Sequence, residues 1–221
     1  RLRTISNHID NPQAAKKISK KASKNVVYMA RYSAEKRHVL LLRVFEKVLK
    51  AVPDAQLHTW GVGPLRAGLI KQVQDKGLTQ NIHINGFSAD VEDIHRQACC
   101  AVLCSDQEGF SLFGLEALAY STPLVSFDVD YGPRDLLSNF KAGVLVEDGN
   151  EQALADTCID LLEHPGKLRT MRGAAARSAA RFFTPVVAEK WRQWWDDMRQ
   201  LAAEREQQAL PASQERAAIG Q

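Results

Sequence analysis

The chain has 221 residues, 45% of them hydrophobic and 25% charged, with a net charge of +3 and four cysteines. That is ample material for a core, but no apolar run approaches the roughly 20 residues of a membrane span, and the opening RLRTISNHID holds no apolar leader segment. Cys99, Cys100, Cys104 and Cys158 show neither CxxC spacing nor a nearby histidine pair. They read as buried, reduced thiols of a cytoplasmic protein rather than as metal ligands or disulfides.

Residues 1–24 carry seven Lys and Arg against Asp10 alone, which leaves the rest of the chain at −3. A basic arm of this kind can meet nucleic acid or anionic lipid. This one has no interleaved aromatic residues, so it reads as a solvated linker, and no nucleic-acid partner is expected. NVVYMA (Asn25–Ala30) is short and β-branched, as a buried strand should be. Glu35–Val52 sets Leu41, Leu42, Phe45, Val48 and Leu49 at helical spacing, and Pro53 ends it. A strand over Ala55–Trp60, a helix from Pro64 to Gly77 and a strand over Asn81–Asn85 follow. A short helix, Val91–Gln97, precedes the cysteine strand, after which a helix should open near Ser111. Strands at Thr122–Phe127 and Ala142–Glu147 flank a short helix in GPRDLLSN. Helices at about Asn150–Glu163, Gly166–Phe183 and Thr184–Glu206 complete the reading. The Ala- and Gln-rich remainder, 207–221, reads as a flexible tail.

Strands alternating with helices predict an α/β fold: a Rossmann-like parallel sheet with helices on both faces over 25–183, then a separate amphipathic helix over 184–206. Such sheets bind ligands beyond the C-terminal ends of their strands. GVGPLRAG (Gly61–Gly68) resembles a dinucleotide fingerprint, but Arg66 stands where the third glycine belongs.

The loops beyond the strands hold the unusual residues. In SDQEGFSLFGLEAL, Glu108 precedes the helix and Glu116 lies inside it. The helix start offers free N–H groups and a positive dipole end to an anion, and carboxylates accept hydrogen bonds from sugar hydroxyls. A sugar nucleotide would suit both. The opposing reading is a solvated loop residue and a surface helix residue. Arg31 and Lys36 in ARYSAEKRH tip the balance, since two cations over the same crevice can hold a diphosphate and stabilise it as a leaving group.

With those motifs in view, the chain resembles the C-terminal, donor-binding half of a GT-B glycosyltransferase of the large retaining family 4. EGFSLFGLE matches its Glu-x7-Glu pair and ARYSAEK its Arg-x4-Lys motif. GVGP, INGF and STPLVSFDV stand in the expected order over about Asn25–Leu162, although a glycine is usual at Ser121. DYGPRD with GFSLFGLEAL looks more narrowly like the enzymes that glycosylate wall teichoic acid or serine-rich adhesins.

The resemblance implies roles. Arg31 and Lys36 would bind the diphosphate as UDP leaves, and Glu108 would face the donor sugar. The amides of Phe110, Ser111 and Leu112 would meet sugar or phosphate, and Glu116 would hold the ribose. Phe87 and Ser88 would read the base, with Gly61 also in the donor site. No metal or other cofactor is implied by the resemblance. It also implies a polymer or protein acceptor, a place in the cytoplasm or at the inner membrane face, and an acceptor-binding N-terminal domain or partner chain outside this sequence. TISNHID resembles the linker leaving that domain, so the chain reads as truncated or as one part of a split product, inactive alone.

Trp191, Trp194, Trp195, Met198 and Leu201 share a helical stripe. It would pack on the chain's own core or, where exposed, favour weak self-association. Two alternatives remain open: a partner subunit without chemistry, and a GT-B sugar-nucleotide epimerase.

Overall fold

The computed structural model describes residues 5–10, 23–137 and 141–209. Most of the basic arm and of the tail therefore lies outside the described residues. Six strands form one parallel sheet: β1 (Asn25–Met29), β2 (Gln56–Trp60), β3 (Ile82–Ile84), β4 (Ala98–Leu103), β5 (Leu124–Phe127) and β6 (Gly143–Val146). Their order across the sheet is β3-β2-β1-β4-β5-β6. Every residue of β4 and β5 is buried, as expected for strands covered on both faces, whereas β2 alternates between buried and half-buried positions.

Eight α-helices accompany the strands among the described residues: α1 (His38–Ala51), α2 (Arg66–Asp75), α3 (Val91–Gln97), α4 (Leu112–Ala119), α5 (Pro133–Leu137), α6 (Glu151–Glu163), α7 (Pro165–Ala179) and α8 (Thr184–Ala209). Among the helices, α1 packs with α2 and α4 with α5. After β6 the chain returns α6 to pack beside α1, then lays α7 against α4. All four cysteines are free and buried.

The structure shortens several expected strands by a residue or two and revises three helix boundaries. The helix expected from Glu35 is broken: Ala34–Lys36 form a 3-10 turn, Arg37 turns left-handed at φ 47°, and α1 starts only at His38. Pro64 stands ahead of α2, whose N-cap is Leu65. The helix expected over Gly166–Phe183 ends at Ala179 and passes through a 3-10 turn, Ala180–Phe182, before α8. Ser121, where the resemblance expects glycine, sits at φ 62°, a region glycine enters without a Cβ clash.

Near α8, Ile9 donates its N–H to the Phe182 carbonyl and accepts from the Thr184 N–H, both at 3.0 Å, so residues 5–10 run beside the start of that helix. Val187 is buried there, and farther along the stripe turns outward. Trp191, Trp195, Met198 and Leu201 are exposed, and Trp194 is half-buried.

Candidate functional site

In a sheet of this order the connections leave β1 and β4, adjacent strands, in opposite directions, and a crevice opens between their C-terminal ends. Several bonds pin the two loops together there. The Tyr28 hydroxyl donates to the Lys36 carbonyl at 3.1 Å and shares a hydrogen bond with the Ser105 hydroxyl at 2.9 Å. The Asp106 N–H donates to the Glu35 carbonyl at 2.8 Å. Burial of Tyr28 raises its phenol pKa well above the ordinary value, so it stays a neutral donor.

Across this seam Lys36 Nζ meets Glu108 Oε1 at 2.7 Å. The ammonium-bearing side chain is 24% exposed and the carboxylate-bearing one 10%. Removing either partner strands a partly desolvated charge, which is far more damaging than loss of a surface pair. Lys36 thus faces the acidic residue assigned to the sugar. Arg31, in contrast, is exposed at the start of the same loop.

The start of α4 is built as expected. Ser111 is the N-cap, held left-handed at φ 65°, and its hydroxyl accepts the Gly114 N–H at 3.2 Å. The Leu112 and Phe113 amides ahead of Gly114 have no carbonyl one turn back to bond. Leu112 itself is exposed, and the half-buried Phe110 ring meets Phe182 edge-on at 5.2 Å. The loop after β5 leans on this segment. Gly132, at φ 70°, lies so close to the Phe110 carbonyl and Glu108 Cβ that an added Cβ would sit 3.1 and 3.3 Å away. A cleft of about 610 Å³ opens here, lined in part by Asp106, Glu108, Asp130 and Tyr131.

Glu116 lies elsewhere. It is half-buried, and burial raises its pKa from the ordinary value. The Tyr120 phenol, just past the end of α4, has its pKa raised chiefly by burial and then by the charges of Glu92, Glu116 and Asp90. The loop between β3 and α3 carries Phe87, 79% exposed, and Ser88, whose hydroxyl accepts the Asp90 N–H at 3.1 Å. Glu108 is thus ion-paired with Lys36, whereas Glu116 lies within α4.

Gly61 has a structural reason of its own. A Cβ there would lie 2.0 Å from the Ala30 carbonyl oxygen, so only glycine lets the loop after β2 pass the end of β1. Tyr32 completes that side, its hydroxyl bonding Thr59 at 3.0 Å and donating to the Asn85 carbonyl at 2.7 Å.

Residue-by-residue reading did not single out Tyr28, Ser105, Tyr32 or Arg37. Arg37 pairs with Asp106 and Asp148, and Arg134 forks onto Asp128 at 2.5 and 3.0 Å. Among the described residues no cluster of three His, Cys, Asp or Glu is arranged to hold a metal.

Comparison with known proteins places this geometry. The family described as Glycosyl transferases group 1 matches residues 10–179. Poly(ribitol-phosphate) alpha-N-acetylglucosaminyltransferase of Staphylococcus aureus (strain COL) is 30% identical over 190 residues, covering 85% of this chain and 38% of the relative. Poly(glycerol-phosphate) alpha-glucosyltransferase of Bacillus subtilis (strain 168) is 27% identical over 180 residues, covering 81% of this chain and 27% of the relative. Among solved structures, a mutant of S. aureus TarM in complex with fondaparinux, alpha-GlcNAc-glycerol and UDP superposes with a TM-score of 0.79 at 28% identity, covering 86% of this chain and 38% of that one. The chain thus spans less than two-fifths of the length of these relatives, and its fold is that of GT-B glycosyltransferases.

Proposed function

The chain belongs to the glycosyl transferases group 1 family, and we propose that it is the donor-binding half of a retaining glycosyltransferase that uses a UDP-sugar. The carrying observation is the Lys36–Glu108 pair, set across the β1–β4 crevice next to the start of α4. In this reading Arg31, Lys36 and the first-turn amides of α4 take the diphosphate. As the bond between the anomeric carbon and the phosphate oxygen breaks, negative charge collects on that oxygen, and the cations stabilise it there. Glu108 accepts hydroxyls of the transferred sugar, Glu116 those of the ribose, and Phe87 and Ser88 flank the base. Gly61 brings the β2 loop into the same crevice.

The reading assigns leaving-group charge to side chains and amides, so a chelator should leave donor binding unchanged. The acceptor is a hydroxyl of a polymer or protein. The relatives named for poly(ribitol-phosphate) and poly(glycerol-phosphate) support a cell-wall polymer. The acceptor would dock on a further domain or partner chain, so this chain alone binds donor without transferring it. The site then works at the cytoplasmic side, where nucleotide sugars are made, and the exposed stripe of α8 supports weak self-association. Calorimetric titration with UDP, GDP and ADP tests the donor assignment. UDP should release heat at millimolar concentration or below, and silence with all three nucleotides would reject it.

A further inference from the structure

Arg37 stands at the corner where the chain turns from the loop bearing Lys36 into α1. Its φ of 47° is unusual for a residue with a Cβ. No glycine relieves it, and the large side chain held in this conformation reaches across two other loops. One nitrogen, Nη1, lies 2.5 Å from Asp148 Oδ1, and Nη2 lies 3.4 Å from Asp148 Oδ2. Nη2 also pairs with Asp106. Beneath the guanidinium, the Phe127 ring centroid lies 6.0 Å away. The Arg37 N–H closes the 3-10 turn on the Ala34 carbonyl at 3.0 Å, and its carbonyl accepts the Leu41 N–H at 3.1 Å.

One residue thereby joins the loops after β1, β4 and β6. The positions it holds are informative. Lys36 is its chain neighbour, and Asp106 lies two residues before Glu108. We infer that Arg37 is a positioning residue, which sets Lys36 opposite Glu108 by tying their two loops to each other and to Asp148. The inference rests on the donor-site reading and adds to it a residue that need not touch the ligand. Without the guanidinium, the loop bearing Lys36 loses its ties to the loop bearing Glu108 and to Asp148. Lys36 would then no longer be held opposite Glu108.

A double-mutant cycle tests this, with UDP and UDP-N-acetylglucosamine titrated into the whole chain and thermal unfolding followed alongside. Arg37→Met should weaken UDP by about tenfold, the scale of one misplaced charge-assisted hydrogen bond. In a Lys36→Met background the same change should do nothing further, because Arg37 acts through Lys36. Arg37→Lys keeps the charge but cannot fork across two carboxylates, and it should recover only part of the loss. Should Arg37→Met fail to fold, Asp148→Asn cuts one arm of the tie without disturbing the left-handed position, and it should show the same non-additivity with a smaller loss. Losses that add with Lys36→Met, or unchanged UDP affinity in a folded Arg37→Met, would overturn the positioning role. If Lys36→Met alone leaves UDP affinity intact, the donor-site reading falls and this inference with it, an outcome distinct from the first two.

Discussion

Around the C-terminal edges of β1, β4 and β6, charged side chains pair across the loops. Along α8, apolar groups are turned outward toward solvent. The first region contains Lys36 on Glu108 and Arg37 between Asp106 and Asp148, with Tyr28 bridging two loops. The second contains Trp191, Trp195, Met198 and Leu201, none of them covered. Burying polar groups is costly unless they are paired, and the pairing at the sheet edge is dense. Exposing four large apolar side chains forgoes burial that would otherwise stabilise the fold. The difference separates a region where charges are paired across loops from a helix face where apolar side chains meet solvent.

The largest effect expected from breaking the first region is catalytic. If the proposed donor half is assayed together with an acceptor-binding domain, Lys36→Ala should lower turnover by roughly 10²–10³, the scale of losing one preorganised charge-stabilising group. Near wild-type turnover would leave the ion pair as mere architecture.

The next effect is on stability, and it depends on pH. His38 is 2% exposed, beside Tyr28 and Tyr32, and its pKa is lowered to about 4, chiefly by burial and then by the charge of Lys36. The folded state thus binds this proton less readily than the unfolded chain, whose histidines titrate near 6.5. The contribution is complete above that value and is lost as pH falls toward about 4, amounting to about 3 kcal/mol. His95, fully buried and lowered to about 3, acts with the same sign. Urea unfolding at neutral and mildly acidic pH should show His38→Phe losing less stability on acidification than the parent. An equal loss in both would refute the assignment.

A smaller effect separates the two glutamates. Glu116→Gln should weaken UDP and UDP-sugar alike, by about tenfold, as expected for one charged hydrogen bond to ribose. Glu108→Gln should weaken only the sugar nucleotide. The ion pair sharpens this expectation, because loss of the Glu108 charge frees Lys36 for phosphate, so UDP should bind no more weakly than before. Equal loss of UDP in both variants would merge the two roles.

The smallest effect falls on α8. Trp191→Ser and Trp195→Ser, at exposed positions, should change unfolding free energy by no more than about 0.5 kcal/mol. They should reduce any concentration-dependent association seen by sedimentation. A large loss of stability would show that the stripe belongs to the core after all.

Much of the fold was readable in the sequence because buried strands and amphipathic helices leave periodic marks. The bounds of α3, Val91–Gln97, match the expectation, and the cysteine run is the central strand β4. The break at Arg37 left no such mark: Glu35, Lys36 and Arg37 are all ordinary helix formers, and no glycine or proline interrupts them. At the site, residue types and local spacing suggested Lys36 and Glu108 separately. Their contact could not be read locally, because 72 positions separate them and only the adjacency of β1 and β4 brings them together. The Arg37–Asp148 tie spans 111 positions and depends on β6 as well.

The placement of β4 also bears on how the molecule assembles. This strand pairs with β1, some 70 residues earlier in the chain, and with β5 on its other side. Parallel pairing over such separations slows folding, because loop closure must precede the contacts that reward it. The two walls of the crevice therefore come together only when β4 docks. Cys99 and Cys100 lie within that strand, and Cys104 follows it, all fully buried. Their reactivity toward an alkylating probe would time the opening of the sheet's centre, a clock already present in the natural sequence.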